Sequence, residues 1–258
     1  MAQTSTDTVD IGGVFSDAFA ALRQNWATYL ILAPIFVGIP AAAATWEVEQ
    51  LVAQHVLSTT NPVGAFLIGY LRSFPVGIAG FALQGAVMVG AAAFLDGRRA
   101  SFGDCLMAGL RNWPVLLVLN LMRGAAIVVG YLLFIIPGIV LNLVWYVAGP
   151  VQVIEGGSPL ASLRRSADLT RGRRWSLFGL SIIVGVLGFL IGLASGFIAG
   201  FVVGFLKPFG VYRLQAEVLA YPLTYMTAYP LGSAVAAAVY RQLNGGRGQT
   251  DALVEIFA

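Results

Sequence analysis

Along this chain the polar residues come in short bunches, and the apolar runs between them approach or exceed the roughly 20 residues a helix needs to cross hydrocarbon. The pattern predicts spans over Ala27–Trp46, Pro75–Leu95, Pro114–Ile135, Ile139–Ile154, Leu177–Leu206 and Val218–Tyr240. The fourth is short and needs local thinning or flanking compensation, whereas the fifth can tilt or extend into the interface. Only Pro137-Gly138 separates the third from the fourth. Proline followed by glycine favours a tight reversal between two helices. The alternative is a kink inside one segment, which leaves five spans.

Short amphipathic stretches lead into these runs and resemble one another. Phe15-Ser16-Asp17 through Asn25-Trp26 returns in the same ungapped register as Phe102-Gly103-Asp104 through Asn112-Trp113, with Ala21 and Ala108 also matched. In the first copy Val14, Phe15, Ala18, Phe19, Leu22 and Trp26 share a helical face, with Asp17, Arg23 and Gln24 elsewhere. The second repeats the spacing with Phe102, Cys105, Leu106, Gly109, Leu110 and Trp113, and Ser101 with Asp104 forms a capping-box pattern. A looser third copy runs from Ser158-Pro159 through Leu160, Leu163 and Ala167 to Trp175. The expected fold is an all-α membrane protein of about six transmembrane helices with short interfacial amphipathic helices. A three-fold repeat of interfacial helix plus transmembrane hairpin would build it. Cytoplasmic entries to spans tend to be amphipathic in any case, and that alone also accounts for the likeness.

Composition agrees with a lipid environment. Of 258 residues, 58% are hydrophobic and 10% charged, against roughly a quarter charged in soluble chains. Mean hydropathy is +0.82. A single cysteine, Cys105, excludes an intramolecular disulfide, and a single histidine, His55, excludes a multi-histidine metal site. No metal or cofactor is expected. Met1 to Asp10 carry no lysine or arginine, so a cleaved secretory signal is not expected.

The placement of basic residues predicts topology. With six spans, Arg23, Arg98, Arg99, Arg111, Arg164, Arg165, Arg171, Arg173, Arg174, Arg241 and Arg247 fall on one side, and Arg72, Lys207 and Arg213 on the other. Eleven against three follows the positive-inside rule. It implies a bacterial inner-membrane protein with both termini cytoplasmic, residues 1–245 forming one polytopic domain and 246–258 a short cytoplasmic tail.

Three groups of residues stand out. Gly188, Gly192, Gly196, Gly200 and Gly204 repeat every four residues, a stripe expected to pack against a neighbouring helix of the same chain or, less favoured, against a second copy. Arg123 falls near the middle of the third span, with Gln84, Asn120 and Asn142 as candidate polar company and no carboxylate inside any predicted span. An intramembrane arginine is costly and suggests a polar site for a lipid phosphate or another anion. Arg164, Arg165, Arg171, Arg173 and Arg174 are candidate headgroup ligands, although topology alone accounts for such a cluster. Glu155 lies beside them and is expected to pair locally.

One block carries a family resemblance: Ile135-Ile136-Pro137-Gly138-Ile139, Trp145, Pro150, Val153 to Glu155 with Gly156, Leu163-Arg164-Arg165-Ser166 and Leu169-Thr170-Arg171-Gly172. It resembles the membrane domain associated with glycerophosphoryl diester phosphodiesterases, a group that includes stand-alone membrane proteins, and Tyr240-Arg241 is similar to that family's closing span. The resemblance implies a helical bundle and supplies no catalytic residues. In fused relatives the phosphodiesterase is a separate barrel, which Gln242 to Ala258 are too few to form.

The expected function is therefore that of a non-enzymatic, lipid-associated or scaffold bundle. Its partners would be membrane lipids, anionic ones among them, and a homo-oligomer or another membrane protein; nucleic acid is not expected. The alternative is a small transporter or permease around Arg123. No nucleophile and base constellation or paired carboxylates appear at matching depth.

Overall fold

Asp10 starts the first helix: its carboxylate accepts the Gly13 N–H at 3.1 Å, and α1 (Ile11–Gln24) buries Val14, Ala18 and Ala21. The computed structural model describes residues 9–57, 60–206 and 216–257, with the side chains of 217, 218 and 246–257 outside the description. Phe19 and Trp26, predicted on the same apolar face, stay exposed. The chain leaves α1 at Asn25, whose buried side-chain amide donates to the Gly90 carbonyl at 3.5 Å.

The first predicted span is longer than expected and has three parts: α2 (Trp26–Ala33), a π-helical turn (Pro34–Gly38) and α3 (Ile39–Ala53). Pro34 has no N–H to offer the ladder, and the wider turn absorbs the interruption. Next, α4 (Pro62–Leu95) begins at Pro62 and not at Pro75, capped by Asn61, and carries Pro75 inside it. Arg72, expected in a connecting loop, is therefore helical and buried.

Ser101 and Asp104 make both bonds of a capping box at the start of α5 (Phe102–Leu133). This helix continues unbroken through Asn112, Trp113 and Pro114, so the second amphipathic stretch is not a separate helix. The difference from Asn25 is local. Asn112 donates back to the Ala108 carbonyl of its own helix at 2.8 Å, and Trp113 Nε1 reaches the Ile78 carbonyl of α4 at 2.7 Å.

The reversal after α5 falls at Phe134, which is extended at φ −160° and ψ 152°, and Pro137-Gly138 sit in the first turn of α6 (Ile135–Val144). The expectation of a turn at Pro137-Gly138 is thus corrected by three residues. A first-turn proline needs no N–H partner, and Gly138 lets the helices approach: a Cβ on Gly130 would lie 3.0 Å from the Gly138 backbone. Arg123 Nη2 also donates to Asn142 Oδ1 across this pair at 2.7 Å, so the two runs form a hairpin, not one kinked helix.

The fourth predicted span is two pieces. Helix α6 ends at Val144, and α7 (Ala148–Ile154) follows a turn. Ten residues rise about 15 Å, half of the roughly 30 Å hydrocarbon thickness. Helix α8 (Pro159–Leu169), capped by Ser158, packs against the break and leads to α9 (Arg174–Leu206). Finally α10 (Ala216–Phe257) runs past residue 245 without interruption, carrying Pro222 and Pro230.

Helix α10 is central, packed against α1, α3, α4 and α9 and burying Ala234, Val235, Ala237, Ala238 and Val239. Tyr229 of α10 lies over Gly80 of α4, where a side chain on the glycine would collide with the ring.

The stripe on α9 behaves otherwise than expected. Side chains built on Gly188, Gly196, Gly200 and Gly204 would meet nothing within 4 Å, and on Gly192 only the Thr224 methyl at 4.0 Å. The packed face of α9 lies one residue away, at Ser195, Ala199 and Val203. One residue turns an α-helix by about 100°, which aims the glycines away from α10.

Candidate functional site

The four residues of the expected intramembrane site come together in two pairs. Asn120 Nδ2 donates to Gln84 Oε1 at 3.3 Å and to the Leu116 carbonyl at 2.9 Å, joining α5 to α4. Arg123, one turn further along α5, reaches Asn142 of α6. All four are half-buried. Packing on three helices brings them close, but they line none of the five cavities described for the molecule.

The residues of the family-like block form a clasp around the α6–α7 break. A helix end leaves carbonyls without intrahelical donors. Here the Val144 carbonyl accepts Ser166 Oγ at 2.9 Å and Thr170 Oγ1 at 3.2 Å, both from α8. Leu169 is buried between these hydroxyls' turns, and Gly172 supplies a left-handed residue at φ +83° where the chain turns into α9. On the other side of the break, Gln152 of α7 accepts from Ser162 at 2.8 Å and donates to the Gly157 carbonyl at 3.0 Å.

Glu155 closes the clasp. Its two oxygens accept Arg165 Nε at 3.2 Å each, and Tyr240 of α10 donates to it at 2.9 Å. Arg165 also donates to Asn244 at 2.9 Å. Nearby, Arg241 pairs with Asp96 at 2.5 Å, tying the interior of α10 to the C-terminal end of α4. These contacts commit Arg165 to the bundle.

Of the other candidate headgroup ligands, Arg171 and Arg174 line one cavity of about 520 Å³ with Ala167, Asp168, Gly172 and Trp175. Arg164 and Arg173 do not line it. The Gly172 turn folds the chain so that Arg171 and Arg174 flank one space, which linear spacing does not reveal.

One polar pair was missed by the span assignment. Arg72 of α4 and Glu49 of α3 form an ion pair with side chains 10% and 12% exposed, and the Arg72 guanidinium lies 5.5 Å from the Tyr221 ring centroid. Both charges lie inside the connection predicted between Trp46 and Pro75, because a charge near the end of an apolar run lowers the local hydropathy and cuts the predicted span short. Lys207 and Arg213, also assigned to that side of the protein, lie outside the described residues.

Among the described residues no group of three or more histidine, cysteine, aspartate or glutamate side chains could hold a metal ion. Among the described residues five helical segments are long and apolar enough to cross a membrane: Trp26–Ala53, Pro62–Leu95, Phe102–Leu133, the broken Ile135–Ile154 and Arg174–Leu206. The fold thus defines an all-helical protein of the multi-pass membrane class. No family model, curated protein or solved structure matches the chain.

Proposed function

We propose that the protein is a non-enzymatic, lipid-associated bundle of the bacterial inner membrane, built like the phosphodiesterase-associated membrane domains its central block resembles. The observation that carries this reading is the cavity at the foot of α9. Arg171 and Arg174 outnumber Asp168 there, at the end of a 33-residue helix whose outer surface is apolar and exposed. Arginine and tryptophan at the end of an apolar helix are the residues that meet lipid headgroups.

On this reading α10 is a sixth crossing and both termini are cytoplasmic. Its tyrosines and threonines suit a central helix, because it faces protein where the outer helices face lipid. The three-fold repeat is retained in a looser form, with α1 and α8 as related short helices and the second copy absorbed into α5. Single cysteines at Arg99 and Arg173 should react with a membrane-impermeant thiol reagent only after the cytoplasmic side is opened; reaction from outside would reverse the topology.

A small transporter is the second reading, favoured by one observation: the α6–α7 break lies three residues from Asn142, and broken helices beside polar side chains form substrate sites in transporters. The test is purification in native lipid with identification of co-purifying molecules, repeated for Arg123→Gln. Phospholipid enriched over the bulk membrane supports the first reading. A polar solute retained by the native protein and lost in Arg123→Gln supports the second.

A further inference from the structure

The α6–α9 junction carries a second cavity that shares two walls with the first. It is a groove of about 430 Å³ lined by Ile136, Ile139, Val140, Leu143 and Phe178, with Arg174 and Trp175 at its edge. The polar cavity of about 520 Å³ is walled by the same Arg174 and Trp175. Both volumes lie within the roughly 300–1,000 Å³ of small-molecule sites. Trp175 is 85% exposed and packs edge-on against Phe178 with centroids 6.2 Å apart, and it lines both the cationic space and the apolar one.

We infer that these two cavities together hold one anionic phospholipid, its phosphate between Arg171 and Arg174 and an acyl chain along the α6–α9 groove. The inference rests on the lipid-associated reading and names its ligand and seat. Charge complementarity selects the occupant. A guanidinium pair matches phosphate oxygens, while the groove beyond it offers a chain only apolar contact. An anionic peptide would leave its backbone donors and acceptors unpaired there. Inorganic phosphate would fill the polar space and leave the groove empty. The α6–α7 break contributes indirectly: because α6 stops at Val144 and is clasped by Ser166 and Thr170, the end of α8 brings the turn bearing Arg171 and the start of α9 bearing Arg174 to the side of α6.

The test uses the full chain in nanodiscs of phosphatidylcholine containing a minor fraction of phosphatidylglycerol, extracted into mild detergent, with retained lipid counted by mass spectrometry. Arg171→Gln/Arg174→Gln should lower retained phosphatidylglycerol at least about tenfold, since each of the two lost charge-assisted contacts is worth about a factor of ten or more. Val140→Trp, which blocks the groove and leaves both arginines, should lower it several-fold. Arg111→Gln/Arg164→Gln removes the same charge from exposed positions lining neither cavity and should leave retention unchanged; each variant is first required to elute as the native species. Equal loss in that control, or no loss in Val140→Trp, overturns the site. A native protein that retains phosphatidylglycerol while every variant does too sinks the site alone. One that retains no anionic lipid above the bulk ratio sinks the lipid-associated reading with it.

Discussion

Ser166 donates its hydroxyl to the Val144 carbonyl at 2.9 Å, and this bond spans the point where the run from Ile135 to Ile154 stops being helical. Thr170 adds a second donor to the same oxygen at 3.2 Å. Away from water, a carbonyl without a donor costs the full desolvation of the group. The Ser-x-x-Leu-Thr order in the block is thus explained by geometry: positions four apart on α8 face one oxygen, and Leu169 between them is buried.

Ser166→Ala should destabilise the protein only slightly, because Thr170 still serves Val144. Ser166→Ala/Thr170→Val should cost about 1–3 kcal/mol, more than the two single changes together. Thermal unfolding in detergent checks the values, and hydrogen exchange at residues 145–148 should accelerate in the double variant alone.

Arg72→Gln should destabilise by about 3–5 kcal/mol, since it takes the cation from a buried carboxylate, and Glu49→Gln by less, since Arg72 keeps its contact with the Tyr221 ring. The double variant should recover a substantial part of the loss. A double-mutant cycle measured by unfolding gives the coupling, and a coupling near zero would show that the two charges act independently.

Glycines separate in the same way. Gly130→Leu should disrupt the α5–α6 hairpin, because its Cβ already sits 3.0 Å from Gly138 backbone atoms and overpacking costs about 1–3 kcal/mol or more. Gly196→Leu points into open space and should leave the monomer's stability unchanged. Should Gly196→Leu unfold the monomer, the assignment of the packed face to Ser195, Ala199 and Val203 is wrong.

Asn142→Leu should destabilise the hairpin by about 1–3 kcal/mol by taking the acceptor from the Arg123 guanidinium. Combining it with Arg123→Met should restore most of that stability, because the unmatched charge is then gone as well. Unfolding of the four proteins in one detergent provides the comparison.

Hydropathy read the apolar helices well and their ends poorly. The start of α4 at Pro62 was hidden by Arg72 and by the polar residues around Asn61, and burying Arg72 is made tolerable by partners that include Glu49 on the preceding helix and the Tyr221 ring. Arg171 and Arg174 were legible as a basic cluster. Their joint cavity was not, because Gly172 folds them toward each other.

What the sequence determined by itself was the class of the protein: transfer from water to hydrocarbon is summed residue by residue, so long apolar runs require membrane-length helices wherever their neighbours lie. It also set the capping box at Ser101, whose partners are three residues apart. The tertiary structure alone decided that the chain reverses at Phe134, that α6 breaks at Val144, and that Ser195, Ala199 and Val203 pack in place of the neighbouring glycines. Each of these depends on an atom brought from a distant segment, and the free energy of such a contact exists only after the helices have met.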